Sequence, residues 1–148
     1  MTAHERPIGE TLEFMQRIWG LVHALDVRSK RMAQTIGVTG PQRFVVRVIG
    51  QRPSQTASEI AAMLGMHPST LTGILARLEK RGAITREVDA VDRRRARFTL
   101  TTVGKQLDRE KRGTVEAAVR RALAKADPST IAGTEEMLGR LVDELARD

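Results

Sequence analysis

Apolar residues recur every three or four positions along most of this chain, and the period changes to two in only one stretch. Leu12, Met15, Ile18, Trp19, Val22, Leu25, Met32 and Ile36 mark one face of a single amphipathic helix from Glu10 to about Ile36, roughly seven turns long. Thr39-Gly40-Pro41-Gln42 has the form of a capping box with proline in the first turn. The helix it opens carries Phe44, Val45, Val48 and Ile49 and stops at Arg52-Pro53-Ser54. Thr56-Ala57-Ser58-Glu59 repeats the capping form, so a short helix follows with Ile60, Ala61 and Leu64 on its apolar face. Gly65 supplies a turn, Pro68 starts the next helix, and Leu71, Ile74, Leu75 and Leu78 form that helix's buried stripe before Gly82 ends it. The layout is helix, tight turn, helix.

From Ala83 to Val88 the pattern alternates, with Ile84, Arg86 and Val88 on one side and Thr85 and Glu87 on the other. A second alternating run, Arg97-Phe98-Thr99-Leu100, follows after eight residues. Two short strands in this order predict a β-hairpin whose loop holds Asp89, Asp92 and the run Arg93-Arg94-Arg95. Thr101 then caps a helix expected to continue to about Ala126 along Val103, Leu107, Val115, Ala118, Ala122 and Leu123, with a bend at Gly113. Asp127-Pro128 opens a last helix to about Ala146, with Ile131, Leu138, Leu141, Val142 and Leu145 on one face.

These elements describe a mainly α protein with a small β-hairpin wing, an α+β winged helix-turn-helix. At 148 residues the chain has room for one domain with a real core, expected to span 8–146. Within it a winged unit occupies about 40–101, and long helices flank it at about 10–36 and 102–146. The apolar stripes of those helices extend beyond what the winged unit can cover. A second copy of the chain is the natural cover, so a two-fold homodimer is expected.

Charge sharpens the picture. From Arg77 to Arg97 there are eight Lys or Arg against four Asp or Glu, more than half of the chain's net charge of +7. With a pI near 10.9 this predicts an anionic partner, and double-stranded DNA is the first candidate. In the helix after the turn, Ser69, Thr70, Thr72 and Arg77 lie away from the buried stripe, small hydroxyl residues first and arginine later. That order suits a helix whose N-terminal turns enter the major groove. Ser and Thr are also favoured at any helix start, and a charge run is usually a solvated surface. Their occurrence together in one supersecondary unit favours DNA.

Asp92-x-Arg94-x-x-x-Phe98-x-Leu100-Thr101, followed by Gly104, resembles the wing signature of the MarR family of transcription regulators. Pro68-Ser69-Thr70-Leu71-Thr72 and Leu78-Glu79-Lys80-Arg81-Gly82 are similar to that family too, and the order of elements extends the resemblance over nearly the whole chain. It implies a homodimeric DNA-binding regulator, usually a repressor released by small molecules or oxidants, binding through the recognition helix and the wing arginines Arg93, Arg94 and Arg95. It also implies an effector site where the dimer helices meet the winged unit, with Trp19, His23, Phe44 and Arg47 as candidates. The ordinary roles of these residues are core for Trp19 and Phe44 and a surface or helix-pairing charge for Arg47. Two positions depart from the family pattern, Val91 in the wing and Gly73 in the recognition helix, where basic residues are common.

Other chemistries find little support. His4, His23 and His67 share no ligand spacing, and with no cysteine the chain has neither thiolate ligands nor a thiol switch, so no metal or cofactor is expected. His67 has a helix-capping role open to it as well as a DNA contact. No nucleophile elbow, phosphate loop or paired carboxylates point to an enzyme. No run approaches about 18 apolar residues, and Met1 to Glu10 has no signal-peptide core, so the expectation is a cytoplasmic protein with no membrane partner. The rival readings are a winged-helix protein-interaction module and a sequence-indifferent nucleic-acid binder.

Overall fold

Side chains that satisfy the first helix amides set most helix starts in the computed structural model, which describes residues 7–147 apart from Arg94. Helix α1 covers Glu10–Thr35 and α2 covers Gly40–Gln51. Thr39 Oγ1 accepts the Gln42 N–H while Gln42 Oε1 accepts the Thr39 N–H, the reciprocal pair that the sequence predicts. The same exchange between Thr56 and Glu59 opens α3, Ala57–Leu64. Gly65 then takes the left-handed conformation, and α4, Pro68–Lys80, begins two residues after Met66. At the end of α4, Gly82 has φ +77° and its N–H meets Glu79 O, while Ala83 N–H reaches back to Leu78 O. This is a Schellman stop, placing Gly82 where only a residue without Cβ is unstrained.

Strands β2, Ile84–Val88, and β3, Ala96–Leu100, pair antiparallel with Ile84 opposite Leu100 and Val88 opposite Ala96. The sheet has a third strand that the pattern does not predict. Residues Gln55–Thr56 form β1 and pair with Phe98 and Arg97, giving the order β1-β3-β2. Two residues are too few to display alternation, so nothing in the sequence marks them as a strand.

The core of this unit is the predicted stripe of α4 (Leu71, Ile74, Leu75, Leu78) packed against Val45, Val46 and Ile49 of α2, Ile60 of α3 and Phe98 of β3. Each large aliphatic side chain fully buried there contributes on the order of 1.5–3 kcal/mol. The alternation of β2 holds only in part: Ile84 is buried, but Val88 is exposed, because the hairpin runs off the edge of the core.

The expected continuous helix from Thr101 to Ala126 is instead two. Helix α5 spans Thr102–Arg109, and α6 spans Val115–Ala124. Glu110 leaves the helical region at ψ 113°, its carboxylate accepts the Arg112 N–H, and Gly113 has φ +75°. The carbonyls freed at this break have a partner in α2: Arg43, only 2% exposed, donates to Glu110 O at 2.8 Å and to Asp108 O at 3.4 Å. A buried guanidinium on the last carbonyls of a helix satisfies both its own charge and the negative helix end. The last helix, α7, runs Pro128–Leu145 with Asp127 as its cap, as the pattern predicts.

Among the described residues, those up to Thr114 form one compact unit and those from Val115 onward a second. In α1 only Met32 is fully buried, and neither α6 nor α7 contains a fully buried residue, so the long helices keep their apolar stripes exposed in a single chain. Among the described residues, no helix is long and apolar enough to cross a membrane.

Candidate nucleic-acid interface

Helix α4 buries one face and presents the other. Ser69, Thr70, Thr72 and Arg77 are all exposed, on the surface opposite Leu71 and Leu78. Two of the three hydroxyls already have partners in the first turn. His67 is the N-cap: its ring Nδ1 accepts the Ser69 N–H at 3.1 Å and lies 2.6 Å from Ser69 Oγ. When Nδ1 accepts the amide, the Ser69 hydroxyl is the donor to it. Thr72 Oγ1 donates to Pro68 O at 2.9 Å. Both side chains therefore face outward chiefly as acceptors. Phosphate oxygens need donors, whereas the amino groups of cytosine and adenine are donors themselves, so this chemistry favours base edges over the backbone.

Between α4 and the sheet lies a groove of about 370 Å³. Ser58 at the start of α3, Thr72, Ala76 and Glu79 on α4, and Arg86 and Arg95 from the hairpin line it. The structure thus brings the predicted Thr72 and Arg95 to one surface and adds Ser58 and Arg86, which the sequence pattern does not mark as site residues. The signal for Arg86 is its place opposite Phe98 in an alternating pair of strands; Ser58 is hidden by its position inside a capping motif. Glu79 sets an acidic boundary to the groove.

The wing is held by Asp89. Its Oδ1 accepts the N–H groups of Val91 at 2.9 Å and Asp92 at 3.4 Å, and its Oδ2 lies 3.4 Å from Arg97 Nε. The two amides, then the nearby guanidinium, pull the Asp89 carboxyl below its ordinary pKa. This turn leaves Val91 97% exposed, and Arg93 and Arg95 are exposed beside it. Arg94 lies outside the described residues.

Of the effector candidates, Trp19 and Phe44 depart from the ordinary core role expected of them, whereas Arg47 takes the helix-pairing one. Trp19 and Phe44 are not core: they are 65% and 54% exposed, because the α1 stripe and this side of α2 have no covering element within the unit. His23 is exposed on α1. Arg47 is occupied, 2.6 Å from Asp108 Oδ1 in a half-buried ion pair that ties α2 to α5. Arg43, one turn away and not marked by the sequence pattern, makes a second link from α2 to the end of α5.

A sequence model described as the MarR family matches residues 38–96, from the turn before α2 to the first residue of β3. The transcriptional regulator HosA of Escherichia coli O157:H7 is 34% identical over 107 residues, covering 72% of this chain and 68% of HosA. The HTH-type transcriptional repressor Rv2887 of Mycobacterium tuberculosis is 27% identical over 113 residues, 76% of this chain and 78% of the relative. In fold, the chain is similar to MepR of S. aureus, solved as a complex with DNA, with a TM-score of 0.73 and 21% identity over 93% of this chain and 99% of that one. The capped helix-turn-helix, the three-stranded wing and these likenesses agree, and the chain belongs to the MarR family of transcription regulators.

Proposed function

We propose that this DNA-binding transcription regulator acts as a dimeric repressor on a pseudo-palindromic operator. Each protomer lays the first turns of α4 in the major groove and sets its wing against the flanking backbone and minor groove. The observation that carries the reading is the shared surface of Thr72 on α4 with Arg86 and Arg95 of the hairpin. A base-reading edge and a phosphate-neutralising edge on one face are what sequence-specific binding needs. Ser69, Thr70 and Thr72 read bases, while Arg77, Arg93, Arg94 and Arg95 hold the backbone. Thr72, with its proton given to Pro68 O, meets a base through its lone pairs or, against thymine, through its methyl group. The chain has no catalytic part in this reading. A small-molecule effector would have Trp19, His23 and Phe44 to bind on the exposed faces of α1 and α2, whereas Arg47 is committed to Asp108.

The test is fluorescence anisotropy with a palindromic DNA library and promoter duplexes at several salt concentrations. Thr72→Ala should weaken the selected duplex more than random DNA, by about 1 kcal/mol if it removes one base interaction. Arg93→Ala and Arg95→Ala should weaken both. Removing one phosphate interaction from each protomer should flatten the log–log salt slope by roughly 1.8 per dimer. Unchanged binding in both arginine variants would remove the wing from the DNA interface and favour a protein-interaction module.

A further inference from the structure

Arg97 is one of the eight basic residues that make the α4–wing unit look like a nucleic-acid footprint, yet its surroundings differ from those of Arg93 and Arg95. Its Nε faces Asp89 Oδ2 at 3.4 Å, and its Nη1 donates to Ser54 O at 2.9 Å. Ser54 closes the turn before β1 with φ +64°, the left-handed region that a residue with a Cβ enters at a cost, and its N–H donates to Phe98 O at 3.0 Å. Asp89 in turn organises the hairpin loop, accepting from Val91 and Asp92 with its side chain and donating its N–H to Arg95 O at 2.7 Å. One guanidinium therefore joins the turn before β1, the middle strand and the root of the wing. Its side chain is 37% exposed and that of Asp89 only 17%.

We infer that Arg97 is a positioning residue: with Asp89 and the Ser54 carbonyl it forms a brace that fixes the wing turn in the conformation that meets DNA. The inference rests on the reading that the wing binds DNA. A phosphate approaching this guanidinium would meet the Asp89 carboxylate 3.4 Å from its Nε, and like-charge repulsion would set that carboxylate against the incoming backbone. As a brace, the pair makes binding tighter by ordering the loop beforehand, which lowers the entropy lost on association.

The two roles predict opposite signs for one substitution. Asp89→Asn keeps an oxygen for the Val91 and Asp92 amides but removes the ionic partner of Arg97. If Arg97 braces the wing, Asp89→Asn in the full chain should weaken binding to the duplex selected from the palindromic library by roughly tenfold, the order of one charge-assisted hydrogen bond removed. The salt slope should stay unchanged, and the Val91 and Asp92 amides of the free protein should exchange faster with deuterium. Arg97→Lys keeps the charge but loses the planar fork that serves Asp89 and Ser54 together, so it should fall with Arg97→Ala. If Arg97 instead touches phosphate, Asp89→Asn should bind more tightly, Arg97→Lys should retain affinity, and Arg97→Ala should flatten the slope by roughly 1.8; any of these overturns the inference. Loss of affinity in Arg93→Ala and Arg95→Ala but in none of the Asp89 and Arg97 variants overturns the brace alone. No loss in any of them overturns the wing reading with it. Asp89→Asn lies outside the core, so its readout does not depend on whether Arg97→Ala folds.

Discussion

A Cβ added to Gly104 would lie 2.0 Å from Ala83 O, a backbone atom that also accepts the Thr101 N–H. The first turn of α5 thus packs directly on the chain entering β2, and the clash cannot be relieved by turning a side chain. Gly73 is the opposite case: it sits inside α4 with nothing within 4 Å of where its Cβ would be. The same substitution should therefore act in opposite directions at two helical glycines. Gly104→Ala should lower the unfolding free energy by about 1–3 kcal/mol through overpacking. Gly73→Ala should raise it by roughly 0.5–1 kcal/mol through helix propensity. Urea denaturation of both variants checks this, and equal shifts would contradict it. The sequence shows Gly104 as a motif residue and Gly73 as a departure from the family pattern, but neither reading contains the reason. The reason for Gly104 is a carbonyl far back along the chain, a separation that no local pattern spans. Arg43 is illegible for the same cause, since a lone arginine beside a hydrophobic stripe reads as solvated until the end of α5 is placed over it.

At the scale of the element, boundaries set by local chemistry are legible in the sequence and those set by tertiary packing are not. The capping boxes at Thr39 and Thr56, the stop at Gly82 and the start at Asp127 are each written in a few adjacent residues. Strand β1 exists only because β3 lies beside it, and the break after α5 only because Arg43, Glu110 and Gly113 all act at one point. Asp127 gives the local case a measurable consequence. The Ser129 hydroxyl, the Thr130 N–H and the Thr130 hydroxyl all donate to its carboxylate and pull its pKa down to about 2 from an ordinary 3.8. A depressed folded-state value means that the cap stabilises α7 fully above the ordinary carboxylate range. The contribution fades as pH falls through the folded value near 2. An NMR pH titration should show Asp127 ionised well below the exposed carboxylates, and Ser129→Ala together with Thr130→Val should return it toward the ordinary value. Titration of wild-type Asp127 with those other carboxylates would contradict the cap.

For the whole molecule, the winged unit accounts for only part of the apolar surface the chain carries. Helix α1 has 26 residues, about 39 Å at 1.5 Å per residue, and leaves Leu12, Trp19 and Leu25 exposed; α7 leaves Leu138, Val142 and Leu145 exposed, the last at 77%. Stripes of this length on water are characteristic of a surface awaiting a partner, and a two-fold axis would let each copy cover its like. The same axis would set two α4 helices about one DNA turn apart, roughly 34 Å, which is how a dimer turns two weak half-site interactions into one tight operator. Sedimentation at micromolar concentration should give twice the 16.4 kDa chain mass. Val142→Asp and Leu12→Asp should each shift the protein toward monomer, because each buries a carboxylate in an apolar interface. In both, affinity for a full palindrome should drop to that of a half-site, while affinity for a single half-site should be unchanged, since α4 and its core are untouched. A wild-type chain that sediments as a stable monomer, or variants that bind the palindrome as tightly as the wild type does, would separate DNA binding from the long helices and leave their apolar faces to a different partner.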